Sequence, residues 1–290
     1  MNSLQQQKLC QNDDYVNYNK YIGNGTHGYV YERQGYPELA IKIFSNENGL
    51  CIDINENEYG IHEYVSTKLE LELQEHFQTY VDIIHSPKVY GFKYLPNAYD
   101  ARCCSYEMER IFSLPKFDRL IQLTPSFSQD YKESMSQGCY VGLKVLFDIL
   151  KSVNHSHLYS KLIYGIGLVY GILHFKLGLD ANDIEFVLGK NKEGDIKMFV
   201  IDFDKVNKLP TQFPSTLRVK LTEEDYDIKS FSSSDNMYRY LASTLHLFPS
   251  LETDEFKLAI EGYKTAARSY NGLTVADKVI EYYYDYHFAD

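Results

Sequence analysis

Basic side chains are in short supply: 29 lysines and arginines face 40 aspartates and glutamates, a formal net charge of -11. Such a field repels a phosphate backbone at long range, and no run of Lys and Arg interleaved with aromatics offsets it, so nucleic-acid binding is not expected. Metal-spaced cysteines are also missing. Cys10, Cys51, Cys103, Cys104 and Cys139 form no C-x-x-C pair, and their odd number leaves one outside any disulfide scheme, so they read as reduced thiols. His85, His155 and His157 have no cysteines nearby at zinc-ligand spacing and read as solvated or packed imidazoles. The longest apolar stretch, 158–177, is interrupted by Tyr159, Ser160, Lys161, Tyr164, His174 and Lys176. That pattern suits a buried core helix better than a bilayer span, so no membrane partner is expected. The polar first residues contain no apolar h-region, so a secretory signal is not expected either, and the expected location is cytoplasmic or nuclear.

What is present suits a globular protein. Hydrophobic residues make up 44% and charged ones 24% of 290, enough apolar side chains for a core, and the length fits one long domain. Internal repeats and long low-complexity tracts do not occur, and the Ser-rich segment 230–236 reads as a surface loop.

Two β-rich runs, 28–32 and 39–44, flank a turn carrying Gly35 and Pro37 and predict a hairpin. Residues 55–73 are rich in Glu, with Tyr59, Ile61, Tyr64, Val65 and Leu69 at helical spacing. Strands are predicted at 88–94 and 103–111 across a turn-forming LPNAYDA segment. Beyond Leu114 the pattern becomes helical: 139–152, 156–176, 255–270 and 275–286 read as helices. Among them a second hairpin, 184–188 and 196–203, is predicted. The aromatic-rich tail 280–288 reads as a final helix packed on this half.

Gly23-Asn24-Gly25-Thr26-His27-Gly28-Tyr29-Val30 completes G-x-G-x-x-G-x-V between predicted strands. Glycines suit such a loop because a side chain would keep the backbone from closing over phosphate oxygens. A Rossmann fingerprint opens a helix, whereas here a second strand follows, so the dinucleotide reading falls. Lys42 shares a strand face with Ala40 and Phe44. A long cation on such a face needs a partner or a task. Glu58 in the following helix is the expected partner, with Glu63 and Glu56 as alternatives.

Later in the chain, Gly178-Leu179-Asp180-Ala181-Asn182-Asp183-Ile184-Glu185-Phe186-Val187-Leu188 follows a helix, and Ile201-Asp202-Phe203-Asp204 ends the second hairpin. In order after the glycine loop and Lys42, these segments resemble those of the protein kinases. Asp180 matches the catalytic Asp of H-R-D-x-x-x-x-N, Glu185 its metal-binding Asn, and Asp202 the Asp of D-F-G. Tyr106-Glu107-Met108-Glu109-Arg110 resembles the strand leading into the hinge that binds adenine, with Met108 as gatekeeper and Glu109 beside it. The strings SPKVYGF, YEMERIFSLP, LDANDIEFVLG and VIDFD are similar to an uncharacterised kinase-like family found widely in fungi, whose members are often labelled zinc-finger proteins.

The resemblance implies an α+β, two-lobed protein-kinase-like fold, with a flexible N-terminus (1–18), a β-rich N-lobe with one helix (19–110) and a mainly helical C-lobe (111–290). It implies ATP and Mg²⁺ between the lobes. Gly23, Gly25, Gly28, Val30, Lys42, Glu58, Met108 and Glu109 would hold the nucleotide, and Asp202 with Glu185 the metal. Lys42, Asp180 and Asp202 would be the catalytic residues.

The chain also departs from the kinase pattern. Gly178 and Leu179 replace His and Arg, Asn182 stands where the loop lysine would be, Asp204 replaces Gly, and no A-P-E follows. Two functions are expected: an atypical ATP-dependent phosphotransferase acting on a hydroxyl acceptor, protein or small molecule, or a pseudokinase scaffold that binds a protein partner without catalysis.

Overall fold

The structure is a computed structural model that describes residues 18–25, 28–44, 51–95, 103–124, 140–210, 233–246, 248 and 254–288. The expected flexible N-terminus lies outside these residues except for Tyr18, which opens the first strand. The protein is α+β: among the described residues it has one antiparallel and one mixed five-stranded sheet and six α-helices.

Strands β1 (Tyr18–Gly25), β2 (Gly28–Arg33) and β3 (Tyr36–Phe44) form an antiparallel meander. Gly35, at φ 78°, makes the turn between β2 and β3, a left-handed conformation that glycine adopts without steric cost. Pro37 falls inside β3 rather than in the turn. Helix α1 follows (Cys51–His76), then β4 (Ile84–His85), β5 (Val89–Leu95) and β6 (Cys103–Glu109). The first sheet runs β1-β2-β3-β6-β5, which sets Lys42 opposite Val30 on one side and Tyr106 on the other.

In α1, Ile61, Val65, Leu69 and Leu73 recur every fourth residue and are all buried, the stripe that an amphipathic helix turns toward a core. They join the apolar residues of the chain's second half in one continuous core. At the far end of α1, buried Glu72 accepts from Tyr270 Oη at 2.8 Å and pairs with Lys176 at 3.1 Å. One helix thereby ties the first sheet to the helical layer.

The second sheet contains β4, β7 (Ile121–Thr124), β8 (Tyr140–Gly142), β9 (Glu185–Lys190) and β10 (Ile196–Ile201), in the order β4-β10-β9-β7-β8. The predicted hairpin is thus the centre of a larger sheet. β7 and β8, of 4 and 3 residues, are too short for alternation to reveal.

The helical layer comprises α2 (Leu143–Ser152), α3 (Tyr159–Ile172), α4 (Ser234–Thr244), α5 (Asp254–Ser269) and α6 (Leu273–Phe288). The helix expected from 139 starts only at Leu143, after β8, and residue 139 itself lies outside the described residues. α4 occupies part of the expected Ser-rich loop: Ser233 caps it by accepting from Asn236 N at 3.2 Å. α3 and α5 meet backbone to backbone. A Cβ on Gly167 would come within 1.7 Å of Ala259 O, and one on Gly262 within 2.1 Å of Tyr164 O. The helical run Ser156–Leu177 is the one long enough and apolar enough to cross a membrane among the described residues, and 72% of its apolar window is buried inside the protein. In α6, Tyr283 stacks on Phe256 at 5.7 Å and donates to Phe248 O, so the aromatic tail packs as a helix.

Candidate functional site

A cleft of about 510 Å³ opens where the first sheet faces the second, within the usual size range of small-molecule sites. Val30 and Ala40 line it from the first sheet, and Val187 and Ile201 from the second. Met108, at the end of β6, also lines it. These side chains give the cleft apolar walls suited to a flat ring.

The polar end of the cleft is built around Lys42. Its Nζ donates to Glu58 Oε1 at 2.6 Å and lies 3.3 Å from Asp202 Oδ1. Glu58 is only 1% exposed and also accepts from Tyr106 Oη at 2.9 Å. Its other oxygen, Oε2, has no hydrogen-bond partner among the described residues. Of the three carboxylates expected as partner, Glu58 makes the contact. Glu63 is exposed and accepts from Tyr59 Oη, and the side chain of Glu56 lies outside what is described.

Burial opposes charge on Lys42, but the Glu58 and Asp202 carboxylates outweigh it, and its pKa is raised. The Glu58 carboxyl is also raised: burial is the largest cause, and the negative charge of Asp202 adds to it against the pull of Lys42. The three groups form one charged cluster joining β3, α1 and the end of β10.

Asp202 has φ 61°, a left-handed conformation uncommon for a side-chain-bearing residue. Phe203, wholly buried, follows it and packs its ring 5.0 Å from that of His62 on α1. The strand end is therefore anchored on one side while Asp202 lines the cleft. Glu185, at the start of β9, lines it too, and its carboxyl is pushed up to about 7 by burial first and then by the charge of Asp202. Among the described residues no group of three or more His, Cys, Asp and Glu could hold a metal by itself. Asp202 and Glu185 nonetheless offer two hard carboxylates to the cleft, the donor type that fits Mg²⁺, which binds through one or two carboxylates plus substrate phosphates.

Gly23 lines the cleft, and a Cβ placed on it would meet nothing within 4 Å, so open space lies beside the backbone. Gly25 and Gly28 pair across the closing end of the β1–β2 hairpin. Thr26 and His27 lie outside the described residues.

Two expected residues stand elsewhere. Glu109 lines a second cavity of about 210 Å³, with His85 Nε2 at 2.6 Å from its Oε2 and Lys88 N donating to it at 3.0 Å. Asp180 is 0% exposed and does not line the cleft. Its Oδ1 accepts from Asn182 N and Asn207 N at 3.0 and 2.9 Å, and its Oδ2 from Asn207 Nδ2 and Tyr240 Oη at 2.9 and 2.7 Å.

The local backbone explains this burial. The helical run ends at Gly178 with φ 66°, a left-handed C-cap that glycine favours, and Leu179 N donates back to Leu173 O at 2.9 Å. Gly178 thus serves the turn in the place where the kinase pattern has His. The wholly buried His174, one turn earlier, has its Nε2 3.0 Å from Asp180 O and its Nδ1 2.9 Å from Tyr263 Oη, and burial lowers its pKa to about 4.

Lys42, Glu185 and Asp202 are thus brought together with Gly23, Val30 and Met108, whereas Asp180 and Glu109 are not. Sequence reasoning missed Tyr240, Asn207 and His174, which surround Asp180, and Arg110, Arg119 and Gln122, which line the cleft. No local motif marks them, because each acquires its neighbours only on folding. No protein-family model matches the chain and no curated protein matches it, so the reading of this site rests on its own geometry.

Proposed function

We propose that this chain is a kinase-like domain of two lobes that binds ATP with Mg²⁺ in the cleft and acts as a pseudokinase, a scaffold or regulator for a protein partner. The observation that carries it is the Lys42–Glu58–Asp202 cluster at the polar end of an apolar-walled cleft. Lys42 meets phosphate oxygens, Glu58 and Tyr106 hold it in place, and the bare backbone at Gly23 allows close approach. Val30, Ala40, Val187 and Ile201 enclose the base. Asp202 and Glu185 would hold Mg²⁺, which supplies charge neutralisation along the phosphates.

The burial of Asp180 favours binding over transfer. Four hydrogen bonds occupy its two oxygens, so an acceptor hydroxyl meets no available lone pair without rearrangement of Tyr240 and Asn207. A second reading, the atypical phosphotransferase, is favoured by Glu185. A carboxyl near 7 in the cleft is matched to proton transfer at neutral pH.

Thermal-shift and calorimetric titrations with ATP, with and without Mg²⁺, test the proposal. ATP should stabilise the fold by about 2.7 kcal/mol at one hundred times its Kd, and Lys42→Ala should remove the effect. Absence of binding by either ATP or ADP would end the reading. Mg²⁺-dependent γ-phosphate release that Asp202→Asn abolishes would move the conclusion to the phosphotransferase.

A further inference from the structure

The charged side chains that line the cleft fall at two ends. Arg110 belongs to one: its Nη1 donates to Glu32 Oε2 at 2.6 Å and to Pro37 O at 3.1 Å, and its Cζ lies 4.8 Å from the centre of the Phe112 ring. Pro37 is five residues along β3 from Lys42, roughly 16 Å of extended chain. Arg119 belongs to the same end. It precedes Ile121, which pairs with Leu188, toward the end of β9 remote from Glu185. Asp118, beside Arg119, lines the cleft as well, so the arginine end carries its own counter-charges, Glu32 and Asp118.

At the other end one ammonium meets three carboxylates. Lys42 Nζ donates to Glu58 at 2.6 Å and lies 3.3 Å from Asp202. Glu185 pairs with Ile201 across β9 and β10, one residue from Asp202, and both acids line the cleft. With Glu58 matching the charge of Lys42, Asp202 and Glu185 leave surplus negative charge where the phosphates of a nucleotide would lie. Without Glu185, the surplus falls to a single carboxylate already in contact with the ammonium. Like charges repel far more strongly in a partly buried site than in water, so a bare polyphosphate is disfavoured there and a divalent cation between the two removes the repulsion.

We infer that Glu185 makes a divalent cation obligatory, so that the cleft admits a nucleotide polyphosphate as its metal complex and rejects the metal-free form. The inference rests on the nucleotide reading above and adds to it the residue that sets the metal requirement.

Isothermal titration of the full chain at pH 8, where Glu185 is ionised, tests it with three probes: ATP with Mg²⁺, ATP with a chelator, and adenosine. Wild type is expected to bind ATP about a hundredfold more weakly when the metal is removed, and to bind adenosine equally in both conditions. Glu185→Gln should tighten metal-free ATP about tenfold, the relief of one like charge, and weaken ATP·Mg²⁺. Glu185→Asp should retain the metal requirement, which a merely structural role for Glu185 would not distinguish from the amide. A denaturation curve verifies that each variant folds. If wild type binds neither ATP·Mg²⁺ nor adenosine, the cleft reading fails and the inference with it. ATP that binds wild type equally with and without Mg²⁺, or in neither condition while adenosine binds, overturns the inference alone. So does a metal requirement as large in Glu185→Gln as in wild type. Loss of ATP but not adenosine binding in Arg119→Ala would place the phosphates at the arginine end, and overturns it too.

Discussion

Lys42 Nζ lies 3.3 Å from Asp202 Oδ1, joining residues 160 positions apart, while the same nitrogen donates to Glu58 Oε1 at 2.6 Å. One ammonium therefore links the first sheet, α1 and the end of β10 before any ligand arrives. Because Glu58 is 1% exposed and has an unpartnered oxygen among the described residues, it depends on Lys42 for compensation. Lys42→Met should destabilise the protein by about 3–5 kcal/mol, the cost of leaving one member of a buried pair. Glu58→Gln should cost less, since it removes the orphaned charge. Urea denaturation of both variants measures the difference; equal stability of Lys42→Met and wild type would contradict the burial argument.

Asp180 should behave as a structural residue. Tyr240→Phe deletes one hydrogen bond to a buried carboxylate and should cost about 1.5–3 kcal/mol. Asp180→Ala should cost more, because Tyr240 and Asn207 then lose their acceptor together. Chemical denaturation is the measurement, and a fold unchanged by Asp180→Ala would show that the carboxylate is held for chemistry.

Glu185 makes a pH-dependent contribution. Its folded pKa, about 7, lies above the unfolded value of 4.5, so between those values the folded state binds more protons than the unfolded one. Stability from this group is fully present below about pH 4.5 and is lost as pH rises through 7. Glu185→Gln should therefore gain about 1–3 kcal/mol relative to wild type above pH 7 and little below pH 5. Denaturation midpoints of the two proteins across pH 4–8 show it. On the nucleotide reading, Mg²⁺ favours the ionised form, so ATP·Mg²⁺ should release a proton near pH 7, visible as a binding heat that depends on the buffer.

Two glycines should respond in opposite ways. Gly167→Ala places a Cβ 1.7 Å from Ala259 O and should cost at least the 1–3 kcal/mol or so of an overpacked core. Gly23→Ala meets open space and should leave stability unchanged or slightly improved. It should nevertheless weaken nucleotide binding, because Gly23 lines the cleft and a side chain there hinders close approach of a ligand to the backbone. Melting temperatures with and without ATP separate the two effects.

Much of this was legible along the chain. Alternation at 28–32 and 39–44 marks the first hairpin, and the fourfold spacing from Ile61 to Leu73 marks α1, because strand and helix periods are local properties. The Lys42–Glu58 partnership was also readable, since a cation on an apolar strand face requires a carboxylate and the next helix supplies few. β7 and β8 were not legible, being too short to carry a pattern, and α4 was hidden because Ser233 looks like a loop residue until its hydroxyl caps a helix.

Residue types and their order determined the longer elements, the glycine hairpin and the set of charged side chains available. Tertiary structure decided what each of those charges meets. Asp180, Glu185 and Asp202 are alike as letters, yet one is saturated by Tyr240 and Asn207, another is pushed toward neutrality by burial beside a like charge, and the third bonds the lysine. The reason is that hydrogen-bond saturation and desolvation depend on groups many positions away in the chain, so no local pattern can report them.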